Sequence, residues 1–383
     1  MKHQSVKQVG LLALAALSLA ACTGTDEPPL PVRLVLAQGA STLRTVPLAD
    51  DTATPITSTP ATTVFGLGTL GGAARVAVLF ADRIEIRDAN LNVLRSLTVN
   101  TFIPETTSLP ANAPKCFTKL RVSESGARIA ALYSCQSNPG DPGEVPTGTQ
   151  RLALFNDAGD LLWARNLPGA LTYSAARTHL AVLNDAENTV IVARPSSVVL
   201  GGTDILRFNR NNSTAANPAS FITDPASFTL YRVPPFSPSL DTNVQQQPVR
   251  DLAVAKGMVY AATANGVQPL PLTAGGALGA AVISGGASRV FSGQQGQFLA
   301  GWSADSSVLA VTDFTNSQRF TGVANLRDVT FSDAYMYVLS ADNITRYEVA
   351  RLGRADSPTG GSYISDATDG RFLAFVVPPV GAP

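Results

Sequence analysis

Short apolar runs separated by turn residues fill almost the whole chain after residue 30. Each run is about five residues long and rich in Val, Leu, Ala, Ile and Tyr, and each is followed by Asn, Asp, Gly, Ser or Pro. Many short strands at even spacing are typical of a β-sandwich, a β-barrel or a β-propeller. Because helical periodicity is almost absent over the same part, the pattern predicts an all-β fold. The clearest runs are 75–80, 128–133, 179–183, 258–262, 308–312 and 371–376.

An internal repeat favours the propeller among these architectures. A stretch that begins at Val249, with Arg-Asp, then Tyr and then an Asx turn, returns without gaps from Leu326. The offset between the two stretches is close to twice the ~40-residue spacing of a four-stranded blade, so it predicts two blades. A strand, Asx turn and strand at 86–94 return at 154–162, as the outer hairpin of a blade would. We therefore predict one β-propeller of six to eight four-stranded blades over residues 32–383, with seven preferred and two packed β domains as the alternative.

The composition limits the classes of function. Lys+Arg and Asp+Glu both number 28, so the net charge is zero, whereas a nucleic-acid-binding protein would show a basic excess or stripe. Hydrophobic residues make up 45% of the chain, which is enough to bury a core. One of the two histidines is His3, so multi-histidine zinc, iron or copper centres are excluded. We predict no metal, no cofactor and no nucleic-acid partner.

The N-terminal segment 1–21 has the organisation of a bacterial export signal. Lys2 and Lys7 come first, and the apolar run that follows, from Leu11 to Ala21, is too short to span a bilayer as a helix. The sequence Leu19-Ala20-Ala21-Cys22 resembles the lipobox of bacterial lipoproteins, in which a large apolar residue and two small residues precede the cysteine. An ordinary signal peptide with a chance cysteine is the alternative.

The resemblance to the lipobox implies a lipid anchor. Residues 1–21 would be removed as a lipoprotein signal peptide, and Cys22 would become the acylated N-terminus. Residues 22–31 include three prolines and are predicted to form a short tether. Thr23 stands where an aspartate usually signals retention in the inner membrane, so the outer membrane is favoured in a diderm organism. The predicted location is the bacterial cell envelope, with the domain facing the periplasm or the exterior.

Two further cysteines, Cys116 and Cys135, remain in the mature chain, an even number in an exported protein. They lie in two apolar segments joined by residues 123–126, which predicts neighbouring strands. A disulfide across this hairpin is the preferred interpretation, and it would contribute ~3 kcal/mol by closing a loop of about 20 residues. Two reduced thiols are the alternative, and a catalytic cysteine is disfavoured because no histidine lies nearby.

One segment resembles the repeat of quinoprotein-type and WD40-like propellers. In the quinoprotein repeat a glycine turn is followed four residues later by a tryptophan, and Gly159 and Trp163 keep that spacing. Phe155 and Ala158 depart from the aspartate and threonine that are usual in the family. The resemblance implies that Trp163 packs between blades and does not stack on a cofactor.

The sequence singles out no catalytic residue. His179 lies at the start of a predicted strand, without a Gly-x-Ser-x-Gly elbow before it, and is predicted to be structural or to lie on the surface. Asp251 and Asp328 occupy equivalent positions of the internal repeat. Recurrence of this kind predicts a structural role, either capping a turn or pairing with Arg250 and Arg327.

The preferred function is that of a cell-envelope lipoprotein acting as a non-enzymatic protein-binding or scaffold propeller, with the membrane and an envelope protein as its partners. Residues 209–247 are rich in Asn, Ser, Pro and Gln and predict a loop insertion, either a disordered surface loop or a partner contact. One alternative is an envelope glycan-active hydrolase or lyase with carboxylates at the propeller mouth. Another follows from the two resemblances, which together are similar to the propeller lipoprotein of the outer-membrane protein assembly machinery.

Overall fold

The protein is built from short β-strands. The computed structural model describes residues 32–48, 54–60, 62–80, 82–98, 117–134, 150–167, 177–196, 201–209, 229–235, 248–332, 334–355, 357 and 359–378. All of them belong to one compact unit, Val32–Pro383. Within these ranges no helix is long and apolar enough to cross a membrane. Two 3₁₀ turns, Gly71–Ala73 and Gln294–Gly296, follow inner strands.

The described strands are numbered in chain order. The first fifteen are β1 (Arg33–Gln38), β2 (Thr42–Pro47), β3 (Thr57–Ser58), β4 (Val64–Leu70), β5 (Arg75–Phe80), β6 (Arg83–Asp88), β7 (Val93–Thr98), β8 (Phe117–Val122), β9 (Arg128–Ser134), β10 (Gln150–Asn156), β11 (Leu161–Asn166), β12 (His179–Val182), β13 (Val190–Pro195), β14 (Thr203–Phe208) and β15 (Thr229–Val233). The others are β16 (Asp251–Ala255), β17 (Met258–Thr263), β18 (Gly266–Leu270), β19 (Ile283–Ser284), β20 (Arg289–Ser292), β21 (Leu299–Ser303), β22 (Val308–Thr312), β23 (Ser317–Phe320), β24 (Asp328–Ser332), β25 (Tyr335–Leu339), β26 (Asn343–Glu348), β27 (Ser362–Asp366) and β28 (Gly370–Val376).

These strands form seven four-stranded antiparallel sheets, the blades of a propeller. From the inside outwards, blade 1 is β28-β1-β2-β3, and blades 2 to 7 are β4–β7, β8–β11, β12–β15, β16–β19, β20–β23 and β24–β27. The innermost strand of each blade contacts the innermost strands of both neighbours, so β28, β4, β8, β12, β16, β20 and β24 form a closed ring. The predicted all-β propeller and its preferred number of seven blades are confirmed.

Blade 1 closes the ring by joining the two ends of the described chain. Its innermost strand, β28, comes from the C-terminal end and pairs antiparallel with β1 from the N-terminal end, so that Val35 lies opposite Ala374. The amide of Val377, just beyond β28, donates to the carbonyl of Ala73 in blade 2 at 2.7 Å. Pairing between the two ends removes the exposed edges that an open row of blades would leave.

The hydrophobic core lies between the blades. Seven clusters of buried side chains occur among the described residues, one at each junction between neighbouring blades. Inner strands are covered on both faces and are therefore apolar along their length. Trp163 in blade 3 is fully buried and packs with Leu180 and Val192 of blade 4. The predicted inter-blade position of Trp163 is confirmed.

The internal repeats correspond to blades as predicted. Asp251 begins the inner strand of blade 5 and Asp328 begins that of blade 7, so the offset of the repeat spans two blades. The second repeat corresponds to the outer hairpins β6–β7 and β10–β11 of blades 2 and 3. Gly159 makes the turn of the latter hairpin with a φ of +87°, and a Cβ at this position would lie 3.0 Å from Ile86 of blade 2.

The segment 209–247 contains a strand that the sequence analysis missed. Thr229–Val233 is the outermost strand of blade 4 and pairs with β14, with Ile205 opposite Tyr231. Tyr231 and Val233 are buried on one face of the strand, whereas their neighbours are partly exposed. Five alternating residues inside a segment rich in Asn, Ser and Pro give too weak a pattern to be recognised. The rest of the predicted insertion, apart from the strand's immediate flanks, lies outside the described residues.

The cysteine predictions fall outside the described residues. Cys22, Cys116 and Cys135 are all in undescribed stretches, so the lipid anchor and the disulfide remain predictions. The hairpin predicted between the second and third cysteines is confirmed, since β8 and β9 pair antiparallel with Leu120 opposite Ala131. Its turn follows Ser123, whose backbone carbonyl accepts a hydrogen bond from the amide of Gly126.

We expect Trp163→Phe to lower the free energy of unfolding by roughly 1–3 kcal/mol. The change leaves a gap at the junction of blades 3 and 4 and removes the indole hydrogen bond to the carbonyl of Asn188, 2.9 Å long. Trp302→Phe is the matched control, because Trp302 donates a similar bond to Val323 but is only half-buried. Urea unfolding followed by circular dichroism measures both, and a larger loss at Trp302 would contradict the inter-blade role of Trp163.

Candidate functional site

A channel runs through the centre of the ring. It forms a cavity of about 160 Å³ that all seven inner strands line. Several strands present small residues at their centres, among them Gly68, Ala181, Ala253 and Ala374. Small side chains at these positions leave space near the axis, so the centre of the molecule holds a polar recess and not a packed core.

One end of this channel is closed by the turn between β8 and β9. The backbone carbonyl of Glu124 in this turn accepts a hydrogen bond from Gln295 at 2.8 Å, and its carboxylate accepts one from the amide of Gly257 at 3.2 Å. Gln295 belongs to blade 6 and Gly257 to blade 5, so a turn of blade 3 extends across the channel. Gly296 permits this approach, because a Cβ there would lie 2.4 Å from the Glu124 carboxylate and its φ is +66°.

Six ionisable side chains gather towards the opposite, open end, near the beginnings of the inner strands. Two carboxylates begin β16 and β24, an imidazole begins β12, and three cations lie on β8 and β20. We call them the mouth cluster: Lys119, Arg121, His179, Asp251, Arg289 and Asp328. Strands of five different blades supply the cluster, so only a closed ring brings its members together.

Asp251 has the most contacts within the mouth cluster. Its Oδ1 accepts a hydrogen bond from Arg121 Nη2 at 2.6 Å and one from the amide of Leu252 at 2.9 Å. Its Oδ2 accepts from the amide of Val290, on the inner strand of the next blade, at 3.2 Å. Nδ1 of His179 lies 3.7 Å from Oδ1. The carboxylate therefore joins inner strands of blades 3, 5 and 6 and lies beside that of blade 4.

Asp328 repeats the arrangement two blades further on. Its Oδ1 accepts a hydrogen bond from the amide of Val329 at 3.0 Å, and its Oδ2 accepts one from Leu373 of the next blade at 2.9 Å. Arg289 Nη2 lies 3.9 Å from Oδ1, near the limit of an ion pair. Both recurring aspartates thus bind an amide of the following inner strand, in agreement with the structural role predicted from their recurrence.

The predicted pairing of these aspartates with the arginines that precede them is wrong. Asp251 pairs with Arg121, which lies 130 residues away in sequence, and not with Arg250. Successive residues of an extended chain point to opposite sides, so an arginine next to an aspartate in sequence is directed away from it. Arg327 contributes its carbonyl, which accepts a hydrogen bond from Arg289.

The protonation properties of the cluster are uneven. Burial would raise the pKa of Asp251, but Arg121, His179 and Arg289 together hold it well below its usual range. Burial lowers the pKa of Lys119 to about 8; Asp251 opposes this shift and the two arginines add to it. Burial also lowers the pKa of His179, so the imidazole is neutral at pH 7. Burial raises the pKa of the other carboxyl, that of Asp328, and the nearby Arg289 does not offset it.

Sequence reasoning found only part of the cluster. It named His179, Asp251 and Asp328, but it missed Lys119, Arg121 and Arg289. Arg289 carries a usable signal, since it lies midway between Asp251 and Asp328 in sequence, at the corresponding position of the intervening blade. The two cations on β8 carry no such signal, because a long connection before this strand shifts the repeat spacing.

Comparisons with known proteins show the fold and nothing finer. No protein-family model matches the sequence, and no curated protein matches it. A functionally unknown protein from Desulfotomaculum acetoxidans is similar with a TM-score of 0.55 and 8% identity, over 91% of this chain and 99% of that one. PorZ, a surface component of the type-IX secretion system of Porphyromonas gingivalis, is similar with a TM-score of 0.51 and 14% identity. That match covers 90% of this chain and 38% of PorZ. Neither neighbour confirms the resemblance to quinoprotein-type repeats.

We expect Asp251→Asn to destabilise the ring by about 3 kcal/mol, because it leaves the guanidinium of Arg121 without its buried partner. Arg121→Gln should cost a similar amount, and the double variant should cost clearly less than the sum of the two. Asp160→Asn is the matched control, since its ion pair with Arg95 is largely exposed and should matter little. Urea unfolding of the four variants measures the coupling, and additive losses would contradict a direct interaction.

We expect Lys119 to titrate near pH 8. The unfolded chain keeps this proton up to the ordinary lysine value of 10.5, so between pH 8 and 10.5 the unfolded state binds more protons than the native state. The free energy of unfolding should therefore rise with pH in this window, by about 3 kcal/mol at most. In a chain starting at residue 23 only three lysines remain, so ¹³Cε-lysine NMR resolves the titration, and Lys119→Gln assigns it. A midpoint near 10.5 would contradict the burial of this amine.

Proposed function

We propose that the protein is a non-enzymatic binding propeller of the bacterial cell envelope, anchored by lipid on Cys22, that holds an envelope protein at the open face of its ring. One observation carries the proposal. The channel is closed at one end by the turn with Glu124, and at the other end it presents partly exposed charged side chains. The ring therefore has one face on which its central recess is accessible.

The chain's longest connections favour the same face. The strand ends that precede and follow residues 99–116, 135–149, 168–176 and 236–247 all lie at the open end of the channel, where inner strands begin. Binding residues are concentrated on long connections that a rigid scaffold positions. A partner at this face would contact the mouth cluster and these segments together.

The carboxylates of the mouth do not favour the glycan-active alternative. A hydrolase of that type needs one carboxylic acid that donates a proton and one free carboxylate. All four side-chain oxygens of Asp251 and Asp328 instead accept a hydrogen bond from a backbone amide. Such bonds fix both groups to the scaffold, and proton transfer to a substrate would require breaking them.

The neighbours supply context for the proposal. PorZ is a bacterial surface component of a secretion system, and this chain is similar in fold to 38% of its length. A propeller within such a component is compatible with a scaffold role in the envelope. Membership of the outer-membrane protein assembly machinery stays a narrower form of the same proposal, suggested by the lipobox and the quinoprotein-like segment.

In-cell photocrosslinking from the two ends of one strand tests the proposal. β22 connects an exposed turn with Asp305 at the open face to an exposed turn with Thr315 at the closed face. A photoreactive residue at 305 should capture one dominant envelope protein by mass spectrometry, whereas the same residue at 315 should not. A Cys22→Ser variant, expected to leave the membrane fraction, is the control for anchoring. No capture from either position by a correctly anchored chain, or equal capture from both, would contradict a partner at the open face.

A further inference from the structure

We propose that the open end of the channel is a binding site for a single oxyanion, a carboxylate or a phosphate, with Arg121, Arg289 and Lys119 as its ligands. The inference rests on the proposed binding role and names the chemistry that the recess recognises. The anion can be a free small molecule or an acidic side chain of the partner, and the experiment below distinguishes these two sources.

The charge of the mouth cluster favours an anion. Three cations face two carboxylates and one neutral imidazole, which leaves one net positive charge at the open end. The remaining charged group that lines the cavity, Glu124, lies at the closed end and is bound to the amide of Gly257. An excess of one sign in a recess with low-dielectric walls concentrates counter-ions there.

The two carboxylates of the cluster are already occupied by the fold. Asp251 accepts two backbone amides and one guanidinium nitrogen, and Asp328 accepts two backbone amides. Their role in joining inner strands uses every one of their side-chain oxygens. The nearby arginines are therefore only partly neutralised by them.

Both guanidiniums retain donors that can meet a ligand. A guanidinium carries five N–H donors. The side-chain hydrogen bonds of Arg121 and Arg289 described above use one nitrogen each, to Asp251 and to the carbonyl of Arg327. The two side chains are 31% and 33% exposed, so their other nitrogens are accessible to water. Guanidinium groups bind carboxylate and phosphate in a bidentate manner, which makes them suited to this ligand class.

The recess also has the size for such a group. Its volume of about 160 Å³ is well above the ~10–15 Å³ that one water requires, so a carboxylate or a phosphate fits with several waters. Lys119 strengthens the case, because its amine is close enough to Asp251 and both arginines for all three to shift its pKa. An anion bound there would offset the repulsion among the three cations.

The proposal is tested by titrating the lipid-free chain with inorganic phosphate and with acetate at constant ionic strength. ¹³Cε-lysine NMR follows Lys119, with Lys256 as an internal reference on the closed face. We expect a saturable shift at Lys119 alone and a rise in its pKa, since a bound anion favours the protonated amine. Arg289→Gln should weaken the binding by about tenfold. The matched control, Arg95→Gln on the outer edge of blade 2, should leave it unchanged.

A second pair of ligands distinguishes the sources of the anion. A capped Gly-Glu-Gly peptide that binds as well as acetate, while its Gly-Gln-Gly counterpart does not, assigns the site to an acidic side chain of a partner. Binding of phosphate or acetate but not of the peptide assigns it to a free small anion. The absence of a saturable shift with all of these probes, in a chain whose near-ultraviolet circular dichroism is native, would overturn the oxyanion site.

Two safeguards keep the test decisive. If Arg289→Gln does not fold, Lys119→Gln replaces it, read by calorimetry, because its amide can still donate to the carbonyl of Thr178 that the lysine amine binds. Equal weakening by Arg95→Gln would overturn the proposal, since it would show a general charge effect. The crosslinking experiment reads partner capture in cells and this one reads anion binding in isolation, so either can fail without the other.

Discussion

The pairing of β28 with β1 is the interaction on which the rest of the structure depends. A row of seven blades has two open ends, and only the contact between strands from opposite ends of the chain makes it a ring. The seven junction cores, the central channel and the mouth cluster all presuppose this closure, since each combines residues of different blades. Long-range pairing of this kind loses much chain entropy before it gains contacts, so closure is cooperative with the packing of the other blades.

The inner edges of the ring create a second constraint, and its solution shapes the candidate site. An innermost strand has backbone amides on its channel side that no further strand can pair, and buried amides need partners. Asp251 and Asp328 supply them for the following blades, through Val290 and Leu373. Using the carboxylates in this way leaves cations at the open end incompletely neutralised. The proposed preference for an anion is thus a consequence of how the ring is held together.

The sequence predicts the fold better than it predicts the site, for a physical reason. Strand spacing, turn residues and the repeat at Val249 and Leu326 are local or periodic, and they indicate a seven-bladed propeller before any contact is known. The ion pair of Arg121 with Asp251 joins residues 130 positions apart, and nothing local marks the arginine. The strand Thr229–Val233 escaped for a related reason, since its pairing with β14 and its buried face distinguish it from its polar flanks.

Hydrogen exchange of the backbone amides in β28 tests the central claim most directly. If β28 closes the ring, the amides of Leu373 to Val376 should exchange only through global unfolding, with the same free energy as those of β16 and β20. Blade 1 would then belong to the same cooperative unit as the blades formed from continuous chain. Exchange of β28 that is much faster than that of the other inner strands would show that the ring opens at blade 1. That result would contradict closure, and with it the permanent channel and mouth cluster.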